Sequence, residues 1–229
     1  MTQNKQADFK TREVHAGVSP DPVTGAILTP IYQSTTYVQE SVDQYLEKGY
    51  SYSRSGNPTV TALENRITAL EGGAGSLCFA TGMAATSCTI MALVGTGDHV
   101  ILSDVVYGGT HRVSTKVLNR WGLEVTFVDT SDAANVEAAI RDNTRLIFTE
   151  TPANPTLKLT DIEAVSKVAQ AHGIPHVVDN TFLTPYFQRP LELGADITLH
   201  STTKFMEGHN VSVGGSITAK SPEACRRRP

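Results

Sequence analysis

Apolar runs of strand length alternate with helical stretches over residues 76–200 of this chain. The strand-like runs lie at 76–80, 99–103, 124–128, 145–149, 176–179 and 197–200. The clearest helical stretches lie at 83–94, 110–121, 133–140 and 162–172. This alternation predicts an α/β fold with a mainly parallel sheet and helices on both of its faces.

The first part of the chain follows a different pattern. Residues 1–58 are rich in turn-forming and polar residues, and Pro20, Pro22 and Pro30 interrupt any long element. We interpret this segment as an extended N-terminal arm, of the kind that often packs on a neighbouring subunit, leading into a helix near 59–70. The α/β domain is expected at 59–220, and the atypical basic tail at 221–229 makes the chain look cut short.

Charge, hydropathy and cysteine content narrow the possible partners. The net charge of −4 and the pI near 6.0 give no reason to expect nucleic acid or an acidic membrane surface as partner. No apolar run approaches the roughly 20 residues that span a bilayer, and the N-terminus lacks the apolar region of a signal peptide. Cys78, Cys88 and Cys225 form no CxxC pair, and the histidines show no metal-binding spacing. We therefore expect a cytoplasmic protein without a metal site.

Residues with useful chemistry follow several of the predicted strands. In open parallel sheets, ligands bind outside the carboxyl ends of the strands. The residues found at these positions are Gly82, Tyr107, Asn154, Asp179 and 201–204. Because they are expected at one edge of the sheet, together they indicate a single site more strongly than any one of them alone.

Asp179 and Lys204 indicate a particular cofactor. Asp179 ends a buried strand, and Lys204 lies in a Ser/Thr-rich turn after a later one. Pyridoxal 5'-phosphate (PLP) needs an amine for a Schiff base and a carboxylate that keeps its pyridine nitrogen protonated. Taken singly, Lys204 would be a solvated surface charge and Asp179 a helix cap or turn residue. We expect the apolar run before Lys204 to bury its side chain, which would favour the neutral amine.

The turn around Gly82 and Met83 is a candidate phosphate site. It joins a predicted strand to a predicted helix, and a helix N-terminus offers backbone N–H donors and a favourable dipole to an anion. The hydroxyl groups of Ser201 and Thr203 would add donors. The alternative is a plain β-α turn with glycine for tight geometry. The segment is neither a P-loop nor a GxGxxG motif.

Two further residues have both a functional and an ordinary interpretation. The ring of Tyr107 would stack on a pyridine, with its hydroxyl assisting proton transfer, or would cap the core as a loop aromatic. Arg54, close to Tyr52 in the arm, would bind phosphate through two parallel hydrogen bonds, or would be exposed surface. We expect His200 and His209 to pack or form hydrogen bonds rather than bind a ligand.

Six motifs of this chain occur together and in order in one enzyme family. They are Tyr52-Ser-Arg54-x-Gly-Asn-Pro-Thr, Thr81-Gly82-Met83-Ala-Ala, Tyr107-Gly-Gly-Thr, Glu150-Thr-Pro-Ala-Asn154-Pro-Thr, Asp179-Asn-Thr-Phe and His200-Ser-x-Thr-Lys204-Phe. From about residue 10 to about residue 222 the chain resembles the Cys/Met-metabolism family of PLP enzymes. That family includes cystathionine γ-synthase, cystathionine γ- and β-lyases, methionine γ-lyase and O-acylhomoserine sulfhydrylases.

The resemblance implies a fold-type I PLP-dependent transferase-like large domain and a role for each site residue. Lys204 would carry the Schiff base and shuttle protons, Asp179 would pair with the pyridine nitrogen, and Tyr107 would stack on the ring. The phosphate would be held by Gly82, Met83, Ser201 and Thr203. Tyr52 and Arg54 would reach the phosphate of a neighbouring subunit in a homodimer or homotetramer, and Asn154 would lie near the ring oxygen and the carboxylate of a small amino-acid substrate.

Within the family, the Tyr107-Gly-Gly-Thr form resembles the γ-acting members. Methionine γ-lyases typically carry cysteine where this chain has Gly109, and enteric cystathionine β-lyases differ around the same tyrosine. The resemblance therefore implies γ-replacement on an O-acylhomoserine with a thiol, as in cystathionine γ-synthase. The alternatives are a cystathionine or methionine γ-lyase and an O-acylhomoserine sulfhydrylase.

Family members continue into a small C-terminal domain that completes the substrate site, and we expect this domain to be missing here. An interpretation of a different class is therefore a non-catalytic fragment of such an enzyme. The motifs around Tyr107 and Arg54 argue against a PLP aminotransferase.

Overall fold

The computed structural model of the chain describes residues 7–43 and 49–225. It divides into two units, Met1–Leu70 and Glu71–Pro229. The N-terminal residues 1–6, on which the signal-peptide argument depends, lie outside the described residues, as do residues 226–229 of the predicted tail.

The first unit contains a short helix that the sequence did not predict. Helix α1 (Phe9–His15) begins where the Asp8 side chain accepts a hydrogen bond from the backbone N–H of Phe9. Arg66 Nη2 donates to the carbonyl of Val14 over 3.1 Å, so a residue distant in sequence holds the end of this helix. Because none of its residues is buried, α1 lacks the apolar periodicity that sequence reasoning depends on.

The helix expected near 59–70 is present as α2 (Pro58–Glu71). Between the two helices the described part of the arm forms turns and one isolated antiparallel bridge, between Thr36 and Tyr52. The Asn57 side chain donates to the carbonyl of Tyr32 and holds the chain where α2 begins.

The second unit is built on a seven-stranded sheet. Its strands are β1 (Gly75–Phe79), β2 (His99–Ser103), β3 (Glu124–Val128), β4 (Thr144–Glu150), β5 (His176–Asp179), β6 (Ile197–His200) and β7 (Gly215–Ala219). Their order across the sheet is β1-β7-β6-β5-β4-β2-β3. Strand β7 runs in the direction opposite to that of the other described strands. The predicted mainly parallel sheet is thus confirmed.

Helices follow most of the strands. They are α3 (Gly82–Leu93), α4 (Gly108–Arg112), α5 (Ala133–Ala138), α6 (Ile162–Ala171) and α7 (Thr184–Phe187). The long helix expected at 110–121 is instead α4 followed by a π turn (Val113–Val117) and a 3-10 turn (Leu118–Trp121). Gly122, with a φ of 82°, ends this segment in the left-handed conformation that glycine adopts without strain.

Strand alternation divides the core into two layers, one on each face of the sheet. In β4, Leu146 and Phe148 pack with Ile90 of α3, whereas Ile147 packs on the other face with Val136 and Val165 of α5 and α6. Each fully buried side chain of this size stabilises the fold by about 1.5–3 kcal/mol. Helices therefore cover both faces, which leaves the strand ends as the place where polar side chains gather.

Among the residues that the structure describes, no helix is both long and apolar enough to cross a membrane.

Candidate functional site

A cavity of about 260 Å³ opens at the carboxyl ends of the central strands, beside the start of α3. Every site residue predicted within the second unit lines it: Gly82, Met83, Tyr107, Asn154, Asp179, Ser201, Thr203 and Lys204. The edge of the sheet therefore brings together side chains that are far apart in sequence, as the strand pattern predicted.

Asp179 is the buried carboxylate of this cavity. It is the last residue of β5 and only 8% exposed. Its Oδ1 accepts hydrogen bonds from Thr181 Oγ1 at 2.5 Å and from the Thr181 backbone N–H at 3.0 Å. Burial raises the pKa of Asp179, and the Thr181 bonds oppose that rise. A cationic ligand at this position would favour the charged carboxylate.

Thr181 connects the acid to the turn that follows β6. While its hydroxyl donates to Asp179, its Oγ1 also accepts the backbone N–H of Ser201 over 2.9 Å. This hydrogen-bonded chain holds Asp179 and Ser201 in a fixed relation across two strand ends. Sequence reasoning did not assign a role to Thr181, although it follows Asp179 by two positions in the quoted motif.

Gly82 allows the first turn of α3 to approach Ser201 closely. A Cβ atom placed on Gly82 would lie 2.6 Å from Ser201 Cβ and 2.8 Å from its Oγ, so no other residue fits there without movement. The N-cap of α3 is Thr81, whose side chain accepts from the backbone N–H of Ala84. The helix N-terminus and the Ser201 hydroxyl thus converge, as the phosphate-site prediction requires.

The hydroxyl of Thr203 is engaged by the backbone. It donates to the carbonyl of Gly214 over 3.2 Å and accepts the N–H of the same residue over 3.0 Å. To bind a phosphate oxygen as predicted, Thr203 would have to exchange its bond to this carbonyl. These contacts also attach the turn after β6 to the segment that enters β7.

The burial predicted for Lys204 is wrong. The side chain is exposed, although Lys204 is one of the residues that line the cavity. Strand β6 ends at His200, and the next residues form a turn in which the Lys204 N–H donates to the carbonyl of Ser201 over 3.2 Å. Because this turn lies beyond the edge of the sheet, the apolar run buries the strand but not the lysine.

Tyr107 lines the same cavity at the start of α4, with 48% of its surface exposed. The close fit around it involves Gly109. A Cβ atom on Gly109 would lie 2.5 Å from Cε1 of the Tyr107 ring and 2.6 Å from Met83 Sδ. Glycine at this position therefore leaves room for both the Tyr107 ring and the Met83 side chain.

Glu150 is a cavity residue that sequence reasoning did not assign to the site. It ends β4, is 6% exposed, and pairs in register with Asp179 on the neighbouring strand. Burial raises the pKa of Glu150 to about 7, with a further contribution from the charge of Asp179. The signal was present in the sequence, because Glu150 follows its buried run directly, as Asp179 does.

Tyr52 and Arg54 belong to the first unit, so their predicted contact with a phosphate stays a prediction. Within that unit the Arg54 guanidinium lies 4.8 Å from the centroid of the Tyr52 ring, a cation–π contact. Both side chains are exposed. Of the two histidines expected to pack or form hydrogen bonds, His200 contacts Glu71 and His209 contacts Glu207.

The residues of the cavity fit PLP. An amine, a buried carboxylate and an aromatic ring line the same space, and the close approach of Gly82 to Ser201 provides a cradle of donors for a phosphate. Lys204 would hold the aldehyde carbon, Asp179 the ring nitrogen, and the start of α3 the phosphate. These are the groups that the cofactor needs and that a simple β-α turn would not bring together.

Comparisons with known proteins agree with this chemistry. Residues 10–228 match the model of the family described as Cys/Met metabolism PLP-dependent enzyme. The chain is 53% identical over 214 residues to cystathionine gamma-lyase of Bacillus subtilis (strain 168), with 93% of this chain and 56% of the relative covered. It is 51% identical over 215 residues to a probable cystathionine gamma-synthase of Herpetosiphon aurantiacus, with 94% and 66% covered.

A solved structure shows the same fold. The crystal structure of metB from Corynebacterium glutamicum superimposes with a TM-score of 0.92 at 49% identity, covering 95% of this chain and 56% of that one. The chain thus spans a little over half the length of most of these relatives. Its family match runs over nearly all of its residues, and the chain belongs to the Cys/Met metabolism family of PLP-dependent enzymes.

Proposed function

We propose that this chain forms the cofactor-binding part of an enzyme of sulfur amino-acid metabolism that carries out γ-replacement on an O-acylhomoserine with a thiol. The observation that carries the proposal is the single cavity that Lys204, Asp179 and Tyr107 line together with the Gly82–Ser201 contact. When bound, PLP supplies the electron sink that makes the α-proton of an amino-acid substrate acidic.

The residues of the chain then have distinct tasks. Asp179 keeps the pyridine nitrogen protonated, and its hydrogen bonds from Thr181 hold the carboxylate in place. Lys204, whose exposed side chain lines the cavity, would move protons at the α- and β-carbons of a substrate through its Nζ. Tyr107 would cover the ring, and Asn154, which lines the same cavity, would bind a substrate carboxylate.

The choice of γ-replacement depends on the residues around Tyr107. Gly109 stands where methionine γ-lyases typically carry cysteine, and the space around it admits no side-chain atom without displacing the tyrosine ring or Met83. Similarity to a protein named as a probable cystathionine gamma-synthase supports the same choice.

The second candidate is γ-elimination, which yields an α-keto acid, ammonia and a thiol. It is favoured by the 53% identity to a protein named cystathionine gamma-lyase. The two reactions share the residues that bind the cofactor, so product analysis separates them. An O-acylhomoserine incubated with cysteine gives cystathionine and the free carboxylate in replacement. Cystathionine incubated alone gives 2-oxobutyrate, ammonia and cysteine in elimination.

We also propose that the active form is a homodimer or homotetramer. Apolar side chains of the arm are largely exposed, among them Val23, Ile27, Leu28 and Ile31. A second copy of the chain would cover them and would bring Tyr52 and Arg54 to its phosphate site. Analytical ultracentrifugation of the purified chain tests this; a monomer at every concentration would contradict it.

The first experiment is the visible absorption spectrum of the purified chain with PLP. We expect an absorption band of the Schiff base that is absent in Lys204→Ala. The control variant Lys220→Ala, which removes another exposed lysine of the same unit, should keep the band. Borohydride reduction followed by mass spectrometry should then locate the pyridoxyl group on Lys204. A band of equal strength in both variants, or none in the unmodified chain, would show that the cavity does not bind PLP as proposed.

A further inference from the structure

Glu150 is a buried carboxylate for which the proposed function has no use. It lines the cavity at the end of β4, yet it is neither the partner of the pyridine nitrogen nor a proton donor in the proposed reaction. Burying a carboxylate is costly unless hydrogen bonds compensate for the lost water. Its partners therefore indicate what it does.

The two oxygens of Glu150 accept hydrogen bonds from two different loops. Oε2 accepts the backbone N–H of Tyr107 at 2.6 Å, and Oε1 accepts the backbone N–H of Asn154 at 3.2 Å. Tyr107 belongs to the loop after β2, and Asn154 to the loop after β4. One side chain thus holds the residue that covers the ring and the residue expected near the substrate carboxylate.

A second link joins the same two loops outside the cavity. Lys158, which follows Asn154 by four positions, forms ion pairs with Asp104 at 3.0 Å and Asp129 at 2.7 Å. Asp104 precedes Tyr107 in the loop after β2. Because these charges are partly exposed, their contribution is small, and the buried carboxylate carries most of the connection.

We propose that Glu150 is a positioning residue that holds Tyr107 and Asn154 in their places for cofactor and substrate. The inference rests on the proposed function for the roles of those two residues, but not for the hydrogen bonds themselves. A carboxylate suits this task because each of its two oxygens accepts a hydrogen bond. The isosteric amide of glutamine has only one accepting oxygen and would turn its N–H₂ group toward the other loop.

The first test needs no cofactor. Amide hydrogen exchange of the purified chain is followed by NMR at pH 8, above the pKa of about 7 of Glu150, so that its carboxylate is mostly ionised. The unmodified chain is compared with Glu150→Gln and Glu124→Gln. Glu124 is an exposed acid on β3 that forms an ion pair with Arg141. Its variant therefore makes the same chemical change far from the cavity. In Glu150→Gln we expect the amides of Tyr107 and Asn154 to exchange about tenfold faster while core amides such as those of Ile101 and Ile147 keep their rates.

Two outcomes of that test would overturn the proposal. Unchanged exchange at Tyr107 and Asn154 would mean that Glu150 does not hold these loops. Faster exchange across the whole second unit would mean that the carboxylate supports the fold in general. Neither outcome depends on PLP binding, so the result stands even if the proposed function fails.

The second test uses PLP as the probe and measures its dissociation constant in a double-mutant cycle of Glu150→Gln and Tyr107→Ala. We expect Glu150→Gln alone to weaken binding about tenfold, and to weaken it much less once the Tyr107 ring is absent. An equal effect in both backgrounds would contradict positioning through Tyr107. If the unmodified chain shows no Lys204-dependent band, the proposed function has failed, and the exchange test alone decides the role of Glu150.

Discussion

The carboxylate of Glu71 accepts a hydrogen bond from His200 Nε2 over 2.5 Å, and both side chains are completely buried. Among the described residues, neither the other carboxylate oxygen of Glu71 nor His200 Nδ1 has a hydrogen-bond partner. His200 ends β6 and directly precedes the turn that bears Ser201 and Lys204. The pair therefore joins the last residue of α2 to the strand that presents the proposed catalytic lysine.

Breaking this pair should destabilise the fold strongly. We expect Glu71→Ala to lower the free energy of unfolding by about 3–5 kcal/mol, because it leaves a buried histidine without its partner. Glu163→Ala, which removes an exposed acid paired with Lys167, should cost about 0.5 kcal/mol or less. Urea unfolding followed by circular dichroism measures both; a similar small loss in the two variants would show that the buried pair contributes little.

The two glycines at the start of α4 offer a matched comparison. In Gly109→Ala the new Cβ would lie 2.5 Å from the tyrosine ring, whereas in Gly108→Ala it would meet Arg112 Nη1 at an ordinary 3.5 Å. We expect Gly109→Ala to displace Tyr107 and weaken PLP binding about tenfold, and Gly108→Ala to leave it within about twofold, since overpacking of a close-fitting site costs about 1–3 kcal/mol. Equal dissociation constants in the two variants would contradict the close fit.

The raised pKa of Glu150 has a defined effect on stability. Folding raises this pKa from 4.5 to about 7, so the folded state holds a proton that the unfolded state has released. The stability that this bound proton contributes to the fold is fully present below pH 4.5. It is lost as the pH rises through about 7, at up to about 1.4 kcal/mol per pH unit. In the chain without PLP, Glu150→Gln should remove this part of the pH dependence. Urea unfolding of both proteins between pH 5 and pH 8 measures it; parallel curves would contradict the assignment.

The buried side chain of His176 should make the stability of the fold depend on pH in the opposite direction. Burial lowers the pKa of His176 from 6.5 to about 3. The neutral ring forms one hydrogen bond with the Ser166 hydroxyl and one with the Thr149 hydroxyl. Its contribution is present above pH 6.5 and is lost as the pH falls toward 3, because the unfolded state binds the proton first. Compared with His176→Gln, the unmodified chain should lose more stability between pH 7 and pH 5. An equal loss of stability in the two proteins over this range would contradict the assignment.

The positions of strands and helices could largely be predicted from the sequence because side-chain periodicity is a local property. The two-residue alternation of β4 separates Phe148 from Ile147, and each side chain reaches its own layer of the core. The exceptions are α1, which buries nothing, and the segment after Gly108, where helix geometry changes twice within a short distance. Neither has an apolar pattern that reports its structure.

The site could be predicted in part for a related reason. Residues that follow a buried run come to the edge of a parallel sheet wherever the strands are placed, so Asp179 and the turn at Gly82 were recognisable from position alone. The family resemblance added the role of Asn154 and the contact of Tyr52 and Arg54 with a neighbouring subunit. Thr181 and Glu150 were not identified, because each acts through a hydrogen bond to a residue distant in sequence, Thr181 to Ser201 and Glu150 to Tyr107.

By itself the sequence determined the fold class, the edge of the sheet that carries the site and the chemical groups present there, since these follow from local pattern and composition. Only the tertiary structure decided that β7 runs antiparallel between β1 and β6, that Glu150 lies beside Asp179, and that Lys204 is exposed. Strand order, register and burial depend on contacts between distant segments, and those contacts exist only once the chain has folded.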